Sequence, residues 1–157
     1  MGYRHVVVDD LDPTPDRPSV RRPIGEAAGL EGFAVNRYEV DPGEQAPLAY
    51  HVHDEQEELF YVLTGTLSVE TPEGVYEVGA DEALAVEPGS PQRAFVPESA
   101  REGAVVLAIG APAVDDVRAY DPDAETDGGR DGTDGDRAET DGGEDGADGT
   151  GEGSDER

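Results

Sequence analysis

The sequence predicts an all-β fold, either a sandwich or a small barrel. From residue 33 to residue 109, short stretches rich in Val, Leu, Tyr and Thr alternate with Gly and Pro turn signals, and none keeps a helical period. Residues 66–70 alternate polar and apolar side chains as a half-buried strand does, and residues 71–74 (Thr-Pro-Glu-Gly) have the composition of a hairpin connection. Repeated short strands of this kind bury their apolar faces in sandwiches or barrels.

The elements follow in order along the chain. Residues 1–32 are a lead-in segment interrupted by prolines, with at most a single helical turn at residues 25–30. The barrel domain is expected at residues 33–120. Its predicted strands lie at residues 33–40, 47–53, 58–63, 66–71, 74–78, 83–86, 93–96 and 104–109.

The composition changes near Tyr120. Residues 121–157 consist almost entirely of Asp, Glu, Gly, Thr, Ala and Arg, without a Val, Ile, Leu or aromatic residue. Such a segment cannot bury enough apolar surface to offset the entropy lost on ordering, so a disordered acidic tail is predicted. Its removal should leave the fold and any metal binding intact.

The net charge is -27, from 38 acidic residues against 11 basic ones, all of them Arg. Self-repulsion at this level destabilises a compact state in dilute buffer, whereas molar salt shortens the Debye length to about 3 Å and removes most of that cost. The composition therefore predicts the salt-rich cytoplasm of an extreme halophile. So acidic a surface also repels nucleic acids and anionic membranes, and neither is expected as a partner.

Residue types and segments that the sequence lacks exclude several kinds of site and of protein. The sequence has no Cys, which excludes disulfides, thiolate metal sites and Cys nucleophiles. No signal peptide is recognisable, and no apolar stretch approaches the roughly 20 residues that span a bilayer. We expect a cytoplasmic protein.

The most informative motif is His51-Val52-His53 followed by Glu58. Side chains two residues apart on a strand point to the same face, so the two imidazoles can offer nitrogens side by side, and Glu58 can return from the next strand. Two His and one carboxylate suit a divalent Fe, Mn, Ni, Zn or Co ion and leave coordination positions open.

Two segments resemble the conserved motifs of the cupin superfamily. PGEQAPLAYHVHDEQEELFYVLTG, residues 42–65, is similar to the first motif, and GADEALAVEPGSPQRAF, residues 79–95, is similar to the second. Where the second motif carries a metal-binding His, this chain has Gln92, and Val96 stands near the place of a usual Asn. The resemblance implies a double-stranded β-helix, or jelly-roll barrel, with metal ligands His51, His53, Glu58 and Gln92. It also implies a homodimer.

Strand parity predicts what surrounds the metal. Pro47 and Ala49 share a face with the two His residues, Phe60 and Val62 share one with Glu58, and Ala94 and Val96 share one with Gln92. A small, dry, largely apolar pocket is expected there. Tyr50, Tyr61 and Arg93 are expected on the opposite faces of their strands.

Two functions are compatible with these residues. One is a metal-dependent enzyme acting on a small molecule, and the superfamily that the chain resembles includes dioxygenases, decarboxylases and isomerases. No general base is evident, since Glu57 and Tyr61 are the only titratable groups near the motif and neither is clearly directed inward. The alternative is a non-catalytic ligand-binding or sensor module with a degenerate metal site, which the loss of the third His favours.

Overall fold

The computed structural model describes residues 2–124. Besides a 3-10 turn at Val8–Asp10, this part of the chain contains one short helix and ten strands. The elements are β1 (Val20–Arg22), α1 (Ile24–Ala28), β2 (Ala34–Val40), β3 (His51–His53), β4 (Glu57–Thr64), β5 (Thr66–Thr71), β6 (Gly74–Gly79), β7 (Ala83–Val86), β8 (Arg93–Phe95), β9 (Ala104–Ala111) and β10 (Val117–Ala119).

Two antiparallel sheets enclose the core. The larger sheet has the strand order β1-β2-β9-β4-β7, the smaller has β6-β5-β8, and β3 pairs with β10 in a separate two-stranded ribbon. Val62 and Val106 from the larger sheet pack with Leu67 and Val69 from the smaller one, and each of the four is at most 1% exposed. The predicted all-β jelly roll is therefore confirmed.

The lead-in segment contributes directly to the barrel. β1 pairs with β2 at the edge of the larger sheet, where Arg21 lies opposite Tyr38, and α1 packs against β2. The helix ends at Gly29, whose left-handed backbone (φ 67°) donates its N–H back to the Glu26 carbonyl. The segment thus supplies a strand that the alternation pattern did not predict.

Two other differences from the expected elements affect the site. The strand predicted at 47–53 is regular only over β3, because Pro47 cannot donate to a ladder and the chain bends before Tyr50. β10 was not expected, and it covers β3, with Val117 opposite His53.

The sequence also led to expectations about the acidic tail and about membrane-spanning segments. Most of the predicted tail, residues 125–157, lies outside the described residues. Within residues 2–124, no helix has the length and apolar character needed to cross a membrane.

Candidate metal centre

Three predicted ligands converge inside the barrel. His51 and His53 project from one face of β3 and Glu58 projects from β4, so that one ligand atom from each residue lies within 4.8 Å of the others. The two Nε2 atoms are 3.2 Å apart, and His53 Nε2 is 3.5 Å from Glu58 Oε2. Both His residues are buried. The arrangement is that of a facial triad capable of holding a metal ion.

Neighbouring acceptors fix which nitrogen of each ring faces the centre. His51 Nδ1 lies 3.0 Å from the Ala49 carbonyl oxygen, and His53 Nδ1 lies 2.8 Å from Asp116 Oδ1. Since a carbonyl and a carboxylate only accept, each Nδ1 is the donor. Both Nε2 atoms therefore direct lone pairs toward each other and toward Glu58, which is stable only with a proton or a cation between them.

When no metal is bound, a proton on His53 Nε2 lies between the two imidazole rings and Glu58. Hydrogen bonding to Glu58 and then to Asp116, working against burial, raises the pKa of His53 to about 9. Burial lowers the pKa of His51, so this ring stays neutral beside its charged neighbour. The centre is thus poised to exchange a proton on His53 Nε2 for a cation.

The fourth predicted ligand, Gln92, contacts both His51 and Glu58. Its backbone exchanges hydrogen bonds with His51, its side chain is 1% exposed, and Nε2 lies 3.1 Å from His51 Nε2 and 2.7 Å from Glu58 Oε2. Among the described residues, no partner reaches Gln92 Oε1. Amide nitrogen and oxygen are interchangeable in shape, so a half-turn of the amide would present that orphaned oxygen to a cation.

This donor set fits a divalent transition metal, because it combines two imidazole nitrogens, a carboxylate oxygen and an available amide oxygen. All four residues predicted as metal ligands meet at one place. Their binding of a metal stays a prediction.

The centre opens into a cavity of about 370 Å³. Pro47, Ala49 and Phe60 line it beside the triad, on the faces that strand parity predicts. The wall of the cavity is mainly apolar, as expected, although β1, β2 and the loop before β1 also add polar side chains that strand parity did not predict. These residues are Arg17, Arg21, Asn36 and Tyr38.

Tyr38 connects that polar wall to the metal centre. Its ring is 8% exposed, and burial raises the pKa of its hydroxyl. The nearby Arg21 and Arg17 guanidiniums act in the opposite direction, while Glu58 adds to the increase. The phenol therefore lies within the electrostatic reach of both the arginines and the triad.

The other titratable candidates do not join the cavity. Glu57 is exposed, and the Tyr61 hydroxyl donates to Asp81 at 2.9 Å. The Tyr50 ring packs edge-on against Tyr120, with ring centroids 4.9 Å apart, and Arg93 pairs with Glu70 at 2.6 Å. Neither Glu57 nor Tyr61 is positioned as a general base.

One residue at the centre was not anticipated. Asp116 accepts hydrogen bonds from His53 Nδ1 and from the backbone N–H groups of Glu55 and Gln56. Burial works against the carboxylate, but these hydrogen bonds and the charge of His53 together hold the pKa of Asp116 well below its usual range. Asp116 thereby fixes the ring orientation of His53.

Fold and site together define the class of the protein: a double-stranded β-helix whose interior carries two His and one Glu. Residues 36–109 match the cupin domain family, and this segment is a cupin domain. The resemblance seen in the sequence is confirmed. Among curated proteins, none matches this sequence.

Several solved structures share the fold. A putative sugar phosphate isomerase from Acidithiobacillus ferrooxidans is 24% identical with a TM-score of 0.53, over 59% of this chain and 58% of that one. A sugar phosphate isomerase from Silicibacter pomeroyi is 24% identical with a TM-score of 0.60, over 69% and 75%. The polyketide cyclase RemF from Streptomyces resistomycificus is 22% identical with a TM-score of 0.63, over 75% and 85%.

At these identities the likeness shows the fold alone. The chain also spans less than two thirds of the Acidithiobacillus protein.

Proposed function

We propose that this cupin binds a divalent transition metal through His51, His53 and Glu58, with the Gln92 amide oxygen as a fourth ligand, and acts on a small molecule in the adjoining cavity. The observation that carries the proposal is the convergence of two imidazole lone pairs and a carboxylate oxygen. The two Nε2 atoms are 3.2 Å apart and His53 Nε2 is 3.5 Å from Glu58 Oε2, an arrangement that is stable only when a proton or a cation is shared. When bound, such an ion supplies Lewis-acid chemistry at a carbonyl or hydroxyl oxygen.

The chain's own residues contribute orientation and exclusion of water. Asp116 and the Ala49 carbonyl hold both rings with Nε2 inward, so the ligand geometry is set before anything binds. Phe60 and Ala46 line the cavity next to the triad and are 3% exposed each, which keeps that wall dry. Tyr38 lines the cavity within the electrostatic reach of both the arginines and Glu58, and its hydroxyl can donate a hydrogen bond to a substrate oxygen.

The solved relatives support an enzyme of the isomerase or cyclase kind. Isomerisation of a sugar and closure of a polyketide ring both rely on polarising a carbonyl group, which a metal beside a phenol can do. The cavity volume of about 370 Å³ suits a ligand of this size.

The second candidate function is a ligand-binding module without catalysis. Gln92 favours it, since its amide already bridges Glu58 and His51 at 2.7 and 3.1 Å, so that with a proton on His53 the centre has its hydrogen bonds without a metal. A module of this kind would bind its ligand equally well after removal of metal.

Titration with Co(II) in molar KCl tests the metal site, because the absorption bands of Co(II) report nitrogen and oxygen ligands directly. We expect stoichiometric binding by the full-length protein, and its loss in a His51→Ala, His53→Ala double variant. His5→Ala is the matched control, since His5 is exposed and all variants retain the acidic tail. Equal Co(II) spectra in the double variant and the control would refute the site.

A further inference from the structure

Building on the proposed function, we infer that the wall of the cavity opposite the triad is an anion subsite, in which Arg17, Arg21 and Tyr38 hold the phosphate group of a small phosphate ester. The ester's other end then faces His51, His53 and Glu58. The subsite lies on β1, β2 and the preceding loop, and Arg17 and Arg21 precede the segment that matches the cupin domain family.

The larger sheet places this wall and the triad on one surface. Arg21 lies opposite Tyr38, Tyr38 opposite Val106 on β9, and, further along β9, Gly110 lies opposite Glu58 on β4. Directly opposed residues of antiparallel strands share a face, and so do residues separated by two or four positions. Arg21 and Glu58 are therefore on the same concave face, three strands and four residues apart, which is about 14 Å across the strands and about 14 Å along them. The span leaves room for a molecule of a few carbon atoms.

Arg17 is a cation without a counter-ion. Within residues 2–124 it forms no hydrogen bond and no ion pair, although it is partly buried in a chain of 38 carboxylates. Among the other described arginines, those with acidic partners are Arg21, Arg37, Arg93 and Arg118. Arg22 donates to backbone carbonyls, and Arg4 and Arg101 are exposed, so Arg17 differs from all three in being both partly buried and unpaired. A guanidinium that lines a cavity and has no acidic partner keeps its N–H donors available to an anionic ligand.

Arg21 is held in place by two hydrogen bonds but keeps unused N–H donors. Its side chain is 13% exposed, Nη1 donates to Thr14 Oγ1 at 2.8 Å, and Nη2 donates to Glu26 Oε1 at 3.1 Å. Since a guanidinium has five N–H donors, others remain for Tyr38 and a ligand. Glu26 is 71% exposed, so solvent screens its charge and the cavity retains a net positive wall.

The number of donors favours phosphate over carboxylate. Two guanidiniums, the Tyr38 hydroxyl and the Asn36 amide line the cavity, and a phosphate monoester offers three terminal oxygens and nearly two charges to such donors. Two carboxylates line the same cavity, Glu58 of the triad and the exposed Asp115, and they repel an anion from their own positions. The charges therefore orient a phosphate ester with its phosphate toward β1.

Calorimetric titration of metal-free, full-length protein tests the subsite, with glycerol 3-phosphate as the probe and glycerol as the uncharged comparison. We expect glycerol 3-phosphate alone to bind, and Arg17→Gln to weaken it about tenfold or more. Arg101→Gln, which removes an exposed charge, is the matched control and should bind as the wild type does. Arg21→Gln should act like Arg17→Gln but also loses the contacts to Thr14 and Glu26, so Arg17 carries the test.

The proposal is overturned if glycerol 3-phosphate does not bind, or if it binds equally to Arg17→Gln and Arg101→Gln. Glycerate binding as tightly as glycerol 3-phosphate would overturn the choice of phosphate. Co(II) titration of the same variants separates the two proposals, because Arg17→Gln should keep its Co(II) spectrum. Normal Co(II) binding without ester binding would refute the anion subsite alone. Ester binding without Co(II) binding would refute the metal centre alone.

Discussion

His53 Nδ1 donates a hydrogen bond of 2.8 Å to Oδ1 of Asp116, sixty-three residues further along the chain. The other carboxylate oxygen accepts the backbone N–H groups of Glu55 and Gln56, so the loop between β3 and β4 and the strand entry to β10 meet at one side chain. Ring orientation and loop conformation are thereby fixed together.

Replacing Asp116 by Asn should weaken metal binding by about ten- to a hundredfold. An amide has one acceptor oxygen for three N–H groups, so either the His53 ring or the loop loses its partner. Isothermal titration with Co(II) measures the change, and Asp81→Asn removes the same charge outside the cavity. Equal affinities for the two variants would show that Asp116 does not orient the ligand.

Gln92→His should bind Co(II) about tenfold or more tightly than the wild type, because a neutral imidazole is a better donor to a transition metal than an amide oxygen. Gln92→Leu keeps most of the volume but removes the amide oxygen, and it should bind more weakly. If Gln92→Leu matched the wild-type affinity, Gln92 would be a packing residue and the triad alone would hold the ion.

The sequence was informative where its pattern was local. The predicted strands from β4 to β9 agree with the structure within about two residues, since polar and apolar alternation and Gly or Pro turns mark each of them. Strand parity also put His51 and His53 on one face, and the short connection from β3 to β4 made the approach of Glu58 predictable.

Other parts of the site had no local signal. β1 has three residues, two of them Arg, between prolines, so no apolar alternation marked the strand that brings Arg21 to the cavity. Asp116 is one of 38 acidic residues, and nothing near it in sequence distinguishes it. Both depend on contacts between distant segments, β1 with β2 and β10 with β3, which a single sequence does not reveal.

Metal-free protein should lose stability as the pH rises from 6.5 to 9. The pKa of His53 is raised from 6.5 to about 9 on folding, so its stabilising contribution is complete below pH 6.5 and disappears as the pH passes the folded value. His51 acts in the opposite direction, because its folded pKa is lowered, and its contribution is confined to the acidic end of the interval, where the unfolded imidazole is still partly protonated. The pKa of Asp116 is lowered on folding, and its contribution is lost only in acid.

Urea unfolding at constant KCl concentration measures the effect, which we expect to be about 1–3 kcal/mol across the interval. His53→Gln should abolish this slope, whereas His5→Ala should retain it. A slope that survives in His53→Gln would assign the titration to another group.

Gly65→Ala should destabilise the protein by about 2 kcal/mol or more. Gly65 joins β4 to β5 with a left-handed backbone (φ 74°), and a methyl group there would collide with the carbonyl oxygen of Gly103, the residue before β9. Neither backbone can yield without breaking the β4–β9 ladder that positions Glu58 opposite Gly110. Gly32→Ala is the control, since a methyl group at Gly32 meets nothing within 4 Å. Urea unfolding of both variants in molar KCl measures the difference, and equal midpoints would show that the turn accommodates a side chain.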